Sequence, residues 1–127
     1  MLMFLFCLVS CGGDDGGPAD PPVDAAGTCV SLKDPQAKKG DPVGTYADVA
    51  MPFLQNNCLR CHDSSKVGTA RMGAPDALNW NVEATVRANL SQIRNAVGVV
   101  QTMPNNAPKP SCDDRLKLIK WIDAEAP

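Results

Sequence analysis

Cys58, Cys61 and His62 stand as C-x-x-C-H within CLRCH, and several chemistries use two cysteines at this spacing. The thiols can close a disulfide or act as a redox dithiol, they can supply half of a zinc site, or they can add to the two vinyl groups on one edge of a haem while the adjacent histidine turns beneath the iron. A zinc ribbon wants four ligands, commonly a second C-x-x-C, and here only the isolated Cys29 and Cys112 could complete one. A thioredoxin-like dithiol wants a βαβ context, whereas no stretch of this chain alternates as a strand. The pattern favours one covalently attached haem c, with Cys58 and Cys61 forming the thioethers and His62 giving an axial nitrogen. A zinc-stabilised structural module is the alternative.

His62 is the single histidine in the sequence, so a second axial ligand from the same chain must be another residue type. Methionine sulfur is the common partner of histidine in c-type sites. Met51 lies too near the attachment motif, and Met72 falls in the loop after it. Met103 lies 41 residues beyond His62, enough chain to pass round the cofactor, and Pro104 restricts its backbone to an extended form. If Met103 does not bind, the iron is open on one side to peroxide or a small gas. Against such an enzyme, the sequence has no distal histidine and no evident acid/base pair.

Three amphipathic segments must carry these residues. Thr45 and Asp48 form a capping-box pattern, and Tyr46, Val49, Phe53 and Leu54 follow at helical spacing up to Asn57. Pro52 inside this run predicts a kink, or a helix proper starting near Met51. Asn81 is placed to cap a second helix whose Val82, Val86, Leu90, Ile93 and Val97 form one stripe, ended by Gly98. Ser111 and Asp114 repeat the capping pattern before Leu116, Leu118, Ile119, Trp121 and Ile122, in a helix reaching about Ala124. The predicted class is all-α, with long loops over residues 63–80 and 98–110.

The remaining sequence reads as appendage. MLMFLFCLVSC is an uncharged apolar run of about ten residues, half of what a membrane span needs and suited to an export signal over residues 1–10. Leu8-Val9-Ser10-Cys11 resembles a bacterial lipobox, which makes Cys11 a lipidation candidate and Cys7 part of a leader that is removed. Residues 11–42 are rich in Gly, Asp, Pro and Ala and predict a lipid-anchored flexible tether, with a reach of roughly 30 Å, ahead of a single domain over residues 43–127. In an oxidising compartment Cys29 and Cys112, left over from these roles, are candidates for a disulfide. A formal charge of -2 gives no basic face for nucleic acid. After the first ten residues only Tyr46, Phe53, Trp80 and Trp121 are aromatic, few for a small core unless a large apolar cofactor fills it.

With these features in hand, residues 45–126 resemble the small class I cytochrome c family. The resemblance rests on YADVAMPFLQNNCLRCH, GAPDALN at 73–79, TMP at 102–104 and the closing LKLIKWIDAEAP. It implies a cytochrome c-like fold of three or more short helices wrapped around one covalent haem, with Cys58 and Cys61 carrying it and His62 and Met103 ligating iron. It further implies that the first and last helices cross with Phe53 against Leu118, Trp121 or Ile122, Ala50 being a candidate for the small residue at that crossing. The Pro75 carbonyl would accept the other ring proton of His62. A macrocycle so placed would pack against Phe53, Trp80, Leu90, Ile93 and Val97. The implied function is single-electron transfer between redox proteins outside the cytoplasm, on the periplasmic or cell-surface side of a membrane that holds the lipid anchor.

Overall fold

The computed structural model describes residues 28–105 and 108–126; the apolar leader, Cys7 and the lipidation candidate Cys11 lie outside the described residues. Thr45 opens the first helical segment: its hydroxyl accepts from the Asp48 amide at 3.2 Å while the Asp48 carboxylate accepts from the Thr45 amide, the reciprocal cap anticipated from sequence. The following turn, Tyr46–Ala50, is wound as a π-helix in which the Met51 amide reaches back to the Tyr46 carbonyl, and helix α1 then runs Met51–Asn57. Pro52 accounts for the change of winding. Its ring has no N–H and crowds the carbonyl four residues back, so the wider turn falls just ahead of it.

The second apolar stripe is interrupted. Helix α2 covers Glu83–Ala88 and α3 covers Leu90–Arg94, followed by a π-helical turn at Asn95–Val99. Asn89 causes the break: its backbone leaves the helical region (φ -127°, ψ 25°) and its side-chain amide donates to the Thr85 carbonyl at 2.7 Å, a local bond that competes with the backbone ladder. Asn81 is not the cap. Val82 occupies that position, while Asn81 binds Ser64 at both its amide and its hydroxyl across the first loop. The stripe still faces inward from Val86 to Val97, with Val82 exposed.

Helix α4, Cys112–Glu125, is capped by Ser111, whose hydroxyl accepts from the Asp114 amide at 3.1 Å. It packs against the Tyr46–Ala50 turn, α3, the Asn95–Val99 turn and a 3-10 turn at Val30–Leu32. Ala50 is fully buried, and Phe53, Leu118, Trp121 and Ile122 share one core with Trp80, Leu90, Ile93 and Val97. Among the described residues the fold is all-helical, and no helix is long and apolar enough to cross a membrane.

One expectation is corrected. Residues 28–42, read as part of the tether, are held against the domain: Cys29 is disulfide-bonded to Cys112, Leu32 is fully buried, the Gln36 amide donates to Asp123 and the Gly40 amide to the Ala124 carbonyl. Composition had pointed to a chain with too little apolar surface to fold. One covalent bond, one leucine and a few backbone hydrogen bonds to α4 supply what the average composition lacks.

Candidate functional site

Helix α1 ends at the attachment motif. The Cys58 amide still bonds back to Leu54, and the Cys58 carbonyl accepts both the Cys61 amide (3.1 Å) and the His62 amide (2.9 Å). The motif is thus one closed turn, which brings both sulfurs and the imidazole onto the wall of a single cleft of about 380 Å³. Met103 lines the same cleft, as do Trp80, Ile93 and Val97; Phe53 and Leu90, also expected there, belong to the core but not to this lining.

His62 is tightly oriented. Its Nδ1 lies 3.0 Å from the Leu78 carbonyl, which fixes the tautomer with the proton on Nδ1 and leaves the Nε2 lone pair as acceptor. Its own carbonyl accepts the Trp80 amide at 2.8 Å, and the two rings stack at 5.2 Å between centroids. Burial holds the imidazole below its ordinary pKa, and the nearby Arg71 charge acts in the same direction, against the hydrogen bond to Leu78. A neutral ring with a bare Nε2 is the form that ligates a metal. The expected acceptor, Pro75, is corrected: its carbonyl takes the Arg71 guanidinium at 2.6 Å, and Leu78 serves His62 instead.

Arg71 is a residue the sequence reading missed. Though it sits in a Gly-rich loop it is 2% exposed, and it donates to the carbonyls of Asp63, Ala74, Pro75 and Leu78 and to the Asn79 side chain. The loop beyond His62 is therefore folded around one guanidinium. A second missed residue, Arg115, is 4% exposed and donates to the carbonyls of Val97 (2.7 Å) and Met103 (2.9 Å). For Arg115 a signal existed: it precedes Leu118, Ile119 and Ile122 at helical spacing, on the buried stripe of α4.

Two sulfurs besides the cysteines face the cleft. Met72, in left-handed backbone (φ 52°), places its sulfur 3.6 Å from that of Cys61. Met103 comes from the second loop, where its amide donates to Ala96 and its peptide bond to Pro104 is cis; it is 38% exposed.

The residues present fit a covalent haem: two free thiols one turn apart, a neutral imidazole aimed by a carbonyl, a thioether from a separate segment and apolar walls between them. Burial pushes the Cys58 thiol up to about 12, keeping it protonated. The zinc alternative loses its further sulfurs, because Cys29 and Cys112 are bonded to each other. Among the described residues no three His, Cys, Asp or Glu side chains are grouped to hold a metal ion. No protein-family model, curated protein or solved structure matches the chain.

Proposed function

We propose that this chain is a mono-haem c-type cytochrome that carries single electrons between redox proteins outside the cytoplasm. The observation that supports it is the convergence of Cys58, Cys61, His62 and Met103 on one apolar cleft, with His62 Nδ1 occupied by the Leu78 carbonyl. Haem, when bound, supplies a one-electron iron couple. Cys58 and Cys61 would hold it covalently, and His62 presents Nε2 with its ring pinned between Leu78 and Trp80. Met103 would supply a soft sulfur as the second ligand, which favours the reduced state. Trp80, Ile93 and Val97 exclude water from the centre, which limits the solvent reorganisation that accompanies electron transfer. The same reading includes export, acylation at Cys11 and a tether through the residues that follow it.

A second reading, an open-site haem enzyme or a binder of peroxide or a small gas, has one observation in its favour: Met103 lies on a loop and is partly exposed. Expression in a host competent for cytochrome maturation tests both. Covalent haem is expected to survive denaturing electrophoresis and stain. The reduced spectrum should be low-spin, and Met103→Ala should lose the weak far-red sulfur-to-iron band. Colourless protein refutes the proposal; a five-coordinate high-spin wild type selects the enzyme.

A further inference from the structure

Arg115 is a buried cation with no carboxylate at ion-pair distance among the described residues. Such a group is expensive to keep, because a charge withdrawn from water without a counter-charge loses most of its hydration. What it does with that position is specific. A single nitrogen, Nη1, bridges the carbonyl of Val97, in the turn after α3, and the carbonyl of Met103 itself. The Met103 amide is tied to the Ala96 carbonyl at 3.1 Å, so its amide is bonded to the turn directly and its carbonyl is linked to the same turn through Arg115. Gln101 adds a third tie, bonding the Cys29 amide and carbonyl and the Gly98 carbonyl, each at 3.0 Å. The Met103 side chain itself remains the partly exposed member of this arrangement.

From this geometry we infer that Arg115 is the positioning residue for the second axial ligand: it clamps the Met103 backbone to the Val97 turn so that the thioether stays at the iron. The inference rests on the His62 and Met103 ligation proposed above. It also gives the cation an electrostatic role. A positive charge fixed inside the domain disfavours the ferric state, which carries one more positive charge than the ferrous. Loss of Arg115 therefore releases the Met103 carbonyl, which loosens the sulfur, and removes a positive charge, which shifts the equilibrium towards oxidation.

The test uses holoprotein, wild type beside Arg115→Gln and Arg115→Lys, titrated with imidazole in the ferric state. Imidazole competes with Met103 for iron, so its apparent affinity reports how firmly the sulfur is held. Arg115→Gln is expected to bind imidazole at least tenfold more tightly than wild type, with a lowered midpoint potential; a tenfold change in the redox equilibrium corresponds to 59 mV. Arg115→Lys, which keeps a charge and donors, is expected to fall between. A residue that only stabilised the fold would lower the melting temperature and leave imidazole affinity unchanged well below it, and that result overturns the inference. If Arg115→Gln does not fold, Arg115→Lys decides: a tighter imidazole complex supports the clamp, and wild-type affinity overturns it. Failure of the underlying reading looks different, because wild type itself would then lack haem or the sulfur band.

Discussion

Replacing Cys29 and Cys112 with serine removes the bond that joins residues 28–42 to the start of α4. The two cysteines are separated by 83 residues, and the chain-entropy relation for a loop of that length gives about 4–5 kcal/mol of stabilisation, against the 2–4 kcal/mol typically measured. Part of the native arrangement survives the change, because Gln101 bonds the backbone of Cys29 and not its sulfur. A release of the segment would add the exposure of Leu32, about 1.5–3 kcal/mol for a fully buried leucine. The expected loss is therefore about 3–5 kcal/mol. That is a large fraction of the roughly 5–15 kcal/mol of a domain this size. Denaturant unfolding followed by tryptophan fluorescence checks it, since Trp80 and Trp121 are both buried. The midpoint should fall while the slope rises, because an uncrosslinked denatured chain exposes more surface. A change below about 1 kcal/mol would show that the disulfide constrains neither state, and the assignment of residues 28–42 to the folded domain would then be wrong.

Three further outcomes are expected. Arg71→Leu removes charge-assisted hydrogen bonds from the carbonyls of Asp63, Ala74, Pro75 and Leu78, of which Asp63, Pro75 and Leu78 each keep one other donor, and should lower stability by about 3 kcal/mol in a thermal or urea melt. Gly98→Ala would bring its new methyl group to 2.7 Å from Ile119 Cδ1, a steric cost of about 1–3 kcal/mol that Ile119→Val should relieve, which a double-mutant cycle reads directly. In protein made without haem, stability should decline on both sides of neutrality. His62 has a folded pKa below the usual value of about 6.5, so its contribution is present above that pH and is lost as the pH falls through the folded value. The Cys58 thiol has a folded pKa of about 12, so its contribution is present below the usual thiol value and is lost as the pH rises from there through the folded value. His62→Gln should flatten the acid limb and Cys58→Ala the alkaline limb. Haem attachment should remove both contributions, because a thioether and a ligated imidazole no longer titrate.

Much of the helical scaffold was legible because its signals are local. The caps at Thr45 and Ser111 depend on residues three apart, and the buried stripe from Val86 to Val97 depends on helical periodicity. Pro52 likewise marks where π winding gives way to α1 at Met51. The break at Asn89 was not legible, since the apolar spacing runs through it undisturbed and only the Asn side chain turning to Thr85 interrupts the ladder. The grouping of the candidate ligands depends on chain separated by dozens of residues. The motif indicates that Cys58, Cys61 and His62 act together, while the presence of Met103 on the same cleft is a tertiary fact. The partner of His62 was missed for a related reason: the resemblance implied Pro75, whereas the carbonyl that reaches the ring belongs to Leu78, and Pro75 accepts from Arg71.

The two buried arginines answer one physical requirement. A helix satisfies its own carbonyls, but the cleft is walled in large part by the loops after His62 and around Met103, whose carbonyls have no ladder to enter. Burying such segments demands donors from side chains, and a guanidinium, with five N–H groups in a fixed fork, satisfies more carbonyls than any other side chain can. Arg71 does this on the His62 side and Arg115 on the Met103 side, each touching the carbonyl that positions a candidate ligand. Because both are cations held out of water, the same bonds that order the loops also place positive charge beside the cleft. Geometry and electrostatics at this site are therefore coupled through two residues: with the proposed haem in place, a substitution at either is expected to move loop stability and redox equilibrium together, whereas substitutions in the helical core should move stability alone.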